Sequence, residues 1–220
     1  ESTVQATDGL YFEFDKKTGA PIVKSGVEIL LTPSLDLQMI RSHLYGFTTY
    51  GVFAAEDNSQ KFITFDVDSS SLEYSKHTAR QLVFVLHQDF NILMKDIHVV
   101  LSGKKGYHVS LFFDKPQAGE TVKHFFDSVM SHICLIKGVN IEFRPLYTQA
   151  VKLPLSIHRS TGSRSVFVDK YSFENLTLSE SWDYLLKIEQ VDPYVLDIID
   201  ELPVEKIQAN TKENSVDQYK

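Results

Sequence analysis

An apolar run that begins at Phe62 ends in two carboxylates: Phe62-Ile63-Thr64-Phe65-Asp66-Val67-Asp68. Side chains alternate along a strand, so Asp66 and Asp68 share one face about 6.5–7 Å apart while Val67 turns back into the core. Two carboxylates side by side at the end of an otherwise buried strand repel each other unless a cation sits between them. The pattern points to a divalent-metal site, and a metal held by paired carboxylates points to phosphate chemistry.

With 220 residues the chain has room for one large domain or two small ones. Its single cysteine, Cys134, excludes an internal disulfide framework and a cysteine-based zinc site, and fits a reducing, cytoplasmic setting. Cys134 lies in an apolar stretch that reads as helix, so it is expected to be a small buried hydrophobe rather than a nucleophile. The sequence holds no run of 18 apolar residues to span a membrane, and its start lacks a signal-peptide pattern. It begins with Glu rather than Met, which reads as a fragment of something larger.

The net charge of −7 is unevenly spread. Residues 189–220 carry eight acids against three lysines, which leaves the first 188 residues nearly neutral. Between Arg144 and Lys170 the balance reverses: Arg144, Lys152, Arg159, Arg164 and Lys170 face only Asp169. Fields act locally within a Debye length, so that stretch can bind phosphate on an acidic protein.

Strands are expected around a turn at Lys17-Thr18-Gly19, at 47–55 and 62–68, at Ile97–Leu101 and Tyr107–Phe113, and at 139–143, 150–154 and 165–169. Helices are expected over 33–45 with Ser34 as cap, over 76–89 and 119–136, and from near Ser179. The mixture predicts an α+β (mixed α/β) domain over 1–188, and an acidic tail over 189–220 whose end lacks hydrophobic spacing. The pairs Phe112-Phe113 and Phe125-Phe126 read as core. Histidines other than His43, His108 and His158 read as surface or helix residues.

Three further stretches can carry chemistry. Ser102-Gly103-Lys104-Lys105-Gly106-Tyr107-His108 joins two strands; its glycines allow close backbone approach, and Ser102, Lys105 and His108 offer donors to phosphate. A plain hairpin turn with exposed lysines explains the same residues, and the loop is not a Walker loop. Glu142 interrupts an apolar strand and, with Asp66 and Asp68, completes a three-carboxylate set able to hold two divalent ions. Lys152, His158 and Arg159 bracket a third stretch; Arg suits bidentate phosphate contact, and His158 titrates near neutrality.

Taken in order, these pieces resemble the archaeo-eukaryotic primase superfamily: Asp66 and Asp68, then Ser102 and His108, then Glu142. The Ser102–Val109 stretch resembles its counterpart in the polymerase domain of bacterial end-joining ligases. Closer still is the likeness to primase-polymerases of mobile elements and conflict systems. It rests on His43-Leu44-Tyr45-Gly46, Gly51-Val52 and Leu153-Pro154-Leu155-Ser156-Ile157-His158-Arg159-Ser160-Thr161-Gly162. The resemblance covers residues 37 to about 170.

It implies an RRM-like catalytic sheet over about 61–188, packed against a smaller N-terminal α/β unit over about 1–60. Asp66, Asp68 and Glu142 would bind two Mg²⁺ or Mn²⁺ ions. Ser102, Lys105 and His108 would hold the triphosphate of a dNTP or NTP, supported by Lys152, His158 and Arg159. The implied activity is that of a DNA primase-polymerase on a single-stranded template and primer, with a helicase or a helical priming domain as further partners. The chain departs from the pattern in three ways: no zinc module, no helicase motif, and Arg144-Pro145 where relatives often carry Pro-Lys-Gln. Relatives often need a helical accessory domain to start a strand de novo, so extension is expected over priming.

Three rival readings meet the same residues. One is a nucleic-acid-binding replication-initiator module that has lost its chemistry. Another is a metal-dependent nuclease, which has no need of the Ser102…His108 element. A calcium loop starting at Asp66 fails on Ser71 at its sixth position and His77 at its twelfth.

Overall fold

The computed structural model describes residues 35–55, 57–158, 161–193 and 196, and the backbone of strand segments 4–6, 11–14, 21–24 and 29–31. The expected turn at Lys17-Thr18-Gly19, the cap at Ser34, and nearly all of the acidic tail lie outside the described residues. The main body is a five-stranded sheet. Its strands are β6 (Gln60–Ser69), β7 (His98–Leu101), β8 (Tyr107–Gln117), β9 (Val139–Arg144) and β11 (Val166–Val168). They lie in the order β11-β7-β8-β6-β9, every neighbour antiparallel. Helix α2 (Leu72–Gln88) joins β6 to β7, and α3 (Gly119–Ser131) joins β8 to β9. The result is a β-α-β-β-α-β unit with β6 and β8 in the middle, an RRM-like sheet in an α+β fold.

Both helices cover one face of that sheet. Ser75, Ala79, Leu82 and Leu86 recur at helical spacing along α2 and are buried, as are Val122, Phe125, Phe126 and Val129 of α3. They meet Ile63, Phe65 and Val67, the inward residues of β6, all fully buried. Phe65 stacks on Phe126 at 5.1 Å and meets Phe125 edge-on at 6.4 Å. Burying each such side chain is worth about 1.5–3 kcal/mol, which fixes the register of β6. A one-residue slip would send Asp66 and Asp68 into this core. The acids are therefore held on the open face.

A second sheet has the order β10-β5-β1-β4, from β1 (Val4–Ala6), β4 (Ile29–Leu31), β5 (Tyr50–Val52) and β10 (Val151–Lys152). A hairpin of β2 (Tyr11–Phe14) and β3 (Pro21–Lys24) stands apart in pairing. Helix α1 (Leu37–Tyr45) precedes β5; its cap is Asp36, whose carboxylate accepts from the Met39 amide at 2.7 Å. His43 is buried, accepts from the Tyr50 amide through Nδ1 at 3.0 Å, and donates through Nε2 to the Pro154 carbonyl at 2.9 Å. Burial lowers its pKa, so it stays a neutral tautomer with both nitrogens used. Gly46 ends α1 at φ +80, and a Cβ there would strike Ile157 at 2.5 Å. The His43–Gly46 motif thus clamps α1 to residues 154–157.

Several expectations shift. Helix α2 begins four residues earlier than predicted, at Leu72, and α3 stops at Ser131 rather than 136. Cys134 is consequently exposed in the loop after α3, not buried in a helix. Phe113 is core, but Phe112 points to the open face and packs on Phe62 at 5.9 Å. Helix α4 (Leu178–Leu185) starts at a capping box formed by Thr177 and Glu180. Among the described residues no helix is long and apolar enough to cross a membrane.

Candidate active site on the open face of the sheet

Strand pairing sets Asp66 between His108 on β8 and Glu142 on β9, and sets Asp68 opposite Asn140. Asp66, Asp68, Glu142 and His108 therefore share the open face near the carboxyl end of β6. His108 Nε2 approaches Asp66 Oδ1 at 3.4 Å. Burial pushes the Asp66 pKa up to about 6; the Glu142 charge adds to this, and Arg144 and Lys152 oppose it. Asp68 is raised by burial and then by the charges of Asp66 and Glu142, against His108 and Lys104. Burial lowers His108 to about 4, helped by Lys152 and Arg144 and opposed by Asp68. At neutral pH His108 is thus uncharged, and its contact with Asp66 is a polar contact rather than an ion pair.

The loop between β7 and β8 folds beside the acids. The Ser102 amide donates to the Gly106 carbonyl at 2.9 Å, and its hydroxyl accepts from the Gly106 amide at 3.3 Å. Gly106 is where Asp68 packs: a Cβ there would lie 2.1 Å from Asp68 Oδ1. Lys152 reaches across to donate to the Ser102 carbonyl. Thr161 donates to the Gly103 carbonyl at 2.7 Å, and His158 Cβ would sit 3.0 Å from a Cβ on Gly103. Ser102 and Lys152 are thereby brought beside His108 and the acids, while His158 stands against Gly103 of the same loop. Lys105 turns aside and donates to the Ser70 carbonyl at 2.8 Å, exposed to solvent. Arg159 lies outside the described residues.

Glu142 is already engaged. Its Oε1 accepts from Asn140 Nδ2 at 2.8 Å, and its Oε2 pairs with Arg144 Nη2. Among the described residues, no three Asp, Glu, His or Cys side chains stand close enough together to grasp one ion. The donor chemistry nonetheless fits a hard divalent cation. All three acids offer carboxylate oxygens from one face, and a cation would relieve the repulsion and desolvation that raise Asp66 and Asp68.

Reading by residue type passed over Arg144 and Asn140 as partners of Glu142. The signal was present, since positions 140, 142 and 144 of one strand share a face. His98 was also misplaced: it is buried on β7, with Nδ1 at 3.0 Å from the Tyr184 hydroxyl. A cavity of about 90 Å³ separates it from His108, walled by Lys152, Pro154 and Phe167. A cleft of about 530 Å³ lies beyond His98, lined by Lys170, Tyr184 and Lys187 among others, away from Asp66, Asp68 and Glu142. The candidate site is at the acids, where the raised carboxylates of Asp66 and Asp68 and the folded loop converge.

Fold and site together define an α+β domain whose open sheet face ends in acids beside a loop suited to phosphate. Residues 28–199 match the family described as "TOTE conflict system, Archaeo-Eukaryotic Primase domain", and the chain belongs to that family. Among solved structures it is similar to the "Polymerase Domain from Mycobacterium tuberculosis Ligase D in complex with DNA", at 16% identity and a TM-score of 0.37. That likeness covers 91% of this chain and 81% of the other. No curated protein matches.

Proposed function

We propose that the chain catalyses template-directed nucleotidyl transfer, forming phosphodiester bonds from dNTPs or NTPs as a primase-polymerase in replication or repair. The observation that carries this reading is the row His108–Asp66–Glu142 across three adjacent strands, with Asp68 one step along. Family membership supports the reaction class. Asp66, Asp68 and Glu142 would hold two Mg²⁺ or Mn²⁺ ions. Bound there, the ions would supply activation of an attacking hydroxyl and stabilisation of leaving pyrophosphate.

The chain's own groups have separable tasks. Asp66 and Asp68 present charge from a strand whose register the core locks, so their positions need no rearrangement. His108, neutral at pH 7, can donate one ring proton to a phosphate oxygen without adding charge. The Ser102–Gly106 loop, braced by Lys152 and Thr161, offers backbone and side-chain donors at the same edge. Template and primer are single-stranded DNA in this reading, and residues 1–188 form the catalytic domain.

Primer extension with Mn²⁺ tests it. The unmodified chain should extend a primer, and Asp66→Ala with Asp68→Ala should lose at least about 10³-fold, several kcal/mol of transition-state stabilisation. A chain that extends nothing while still binding single-stranded DNA would instead be a binding module. Cleavage of DNA that needs Mn²⁺ and ignores nucleotides would instead mark a nuclease.

A further inference from the structure

Among the described residues, Glu142 has a side-chain partner on each of its two oxygens. Its two oxygens are divided between Asn140 and Arg144. Asn140, Glu142 and Arg144 are alternate residues of β9, and pairing with β6 puts Glu142 opposite Asp66 and Arg144 opposite Thr64. The guanidinium is well enclosed, its side chain 13% exposed, and Nη1 is tied to the Phe143 carbonyl at 3.0 Å. The Glu142 side chain is 43% exposed. Arg144 is thus the fixed member of the pair and Glu142 the movable one.

We propose that Arg144 is a resident counter-cation that holds Glu142 away from Asp66 and Asp68, so that metal binding must win Glu142 from it. This rests on the reading of Asp66, Asp68 and Glu142 as metal ligands. A monovalent guanidinium tempers the repulsion among the acids while no metal is present. A divalent ion between the carboxylates attracts each of them more strongly at equal distance, so Glu142 can exchange one partner for the other. Arg144 is a positioning residue here: it sets how tightly metal binds without touching the substrate. An ordinary solvated ion pair would contribute little to stability and leave metal affinity unchanged.

The test is Mn²⁺ affinity, by calorimetry and by the paramagnetic signal of free Mn²⁺, on the full 220-residue chain. Arg144→Gln should bind Mn²⁺ about tenfold more tightly than the unmodified chain and melt at a lower temperature without metal. Asn140→Ala, which loosens the other oxygen, should tighten binding about two- to threefold and guards against a misfolded Arg144→Gln. In a Glu142→Gln background, Arg144→Gln should tighten binding by clearly less than it does with Glu142 present, the remainder being the loss of a positive charge that also acts on Asp66. Equal affinity in the unmodified chain, Arg144→Gln and Asn140→Ala would overturn the proposal and leave the nucleotidyl-transfer reading standing. Absence of Mn²⁺ binding in all of them, even with a triphosphate present, would overturn both.

Discussion

His98 and His108 lie on neighbouring strands, on the same face of one sheet, and burial holds both neutral with pKa values lowered to about 4. Their surroundings are opposite. His98 shares a hydrogen bond with Tyr184, meets that ring edge-on at 5.8 Å and lies 5.4 Å from the Phe112 ring. Tyr184 in turn stacks on Phe167 at 4.6 Å. At this end of the face, α4 brings the Tyr184 ring down beside His98 and Phe167. His108 instead faces Asp66, near Asp68 and Lys152, where the carboxylates are raised by burial that nothing apolar repays. One end is packed with aromatic rings; the other, in the proposed reading, is where a charged ligand would bind. The same backbone geometry supports both, so the side chains alone decide which end is structural and which is chemical.

The contrast breaks first if the ring end matters to chemistry. Phe167→Ala, at a fully buried position, should destabilise the chain by about 3–5 kcal/mol in chemical denaturation. Its Mn²⁺ affinity should stay within about twofold of the unmodified chain, and a larger loss would merge the two ends.

The next largest effect concerns pH. Between the ordinary histidine pKa of 6.5 and about 4, the unfolded chain takes up a proton that native His98 refuses. Stability from this group is therefore complete above pH 6.5 and is lost as pH falls towards 4. His98→Phe should flatten that decline, recovering on the order of 2 kcal/mol near pH 4.5 in urea titrations. Asp66 has the opposite sign. Its folded pKa is raised from 3.8 to about 6, so the native state binds more protons in that window and gains stability as pH falls through it. A steeper acid decline in Asp66→Asn than in the parent would sharpen the comparison; a shallower one would break it.

The smallest effect is local. Gly106→Ala puts a methyl against Asp68 Oδ1 and 2.9 Å from the Val67 carbonyl. The carboxylate can swing but the carbonyl cannot, so a loss of about 1 kcal/mol in stability and about tenfold in primer extension is expected. Unchanged extension would remove Asp68 from the working set.

Much of the acid end was legible because strand periodicity is short-range. The alternation of Phe65, Asp66, Val67 and Asp68 assigns faces without knowledge of any partner strand. The ring end was not, because the residues that bury His98 come from α4, more than 80 positions away in the chain. Cys134 was misread for a related reason. Apolar spacing runs on past Ser131 through Ile133, Leu135 and Ile136, but the backbone has already left the helix there. The Glu142–Arg144 pair was hidden by reading each charge alone rather than as alternate positions on one strand. Arg159 lies outside the described residues.

Residues 151–164 have a consequence for how the protein could be taken apart. β10 completes the edge of the second sheet, Pro154 receives His43, Ile157 fills the space beside Gly46, and Arg164 donates to the carbonyls of Leu44 and Leu155. A chain severed near residue 60 would leave its first piece without its outer strand and its second with an unsupported strap. Two such pieces, expressed together, would have to find each other before either could finish folding. Reassembly of a split chain would then report on the clamp itself, with the acids as passengers.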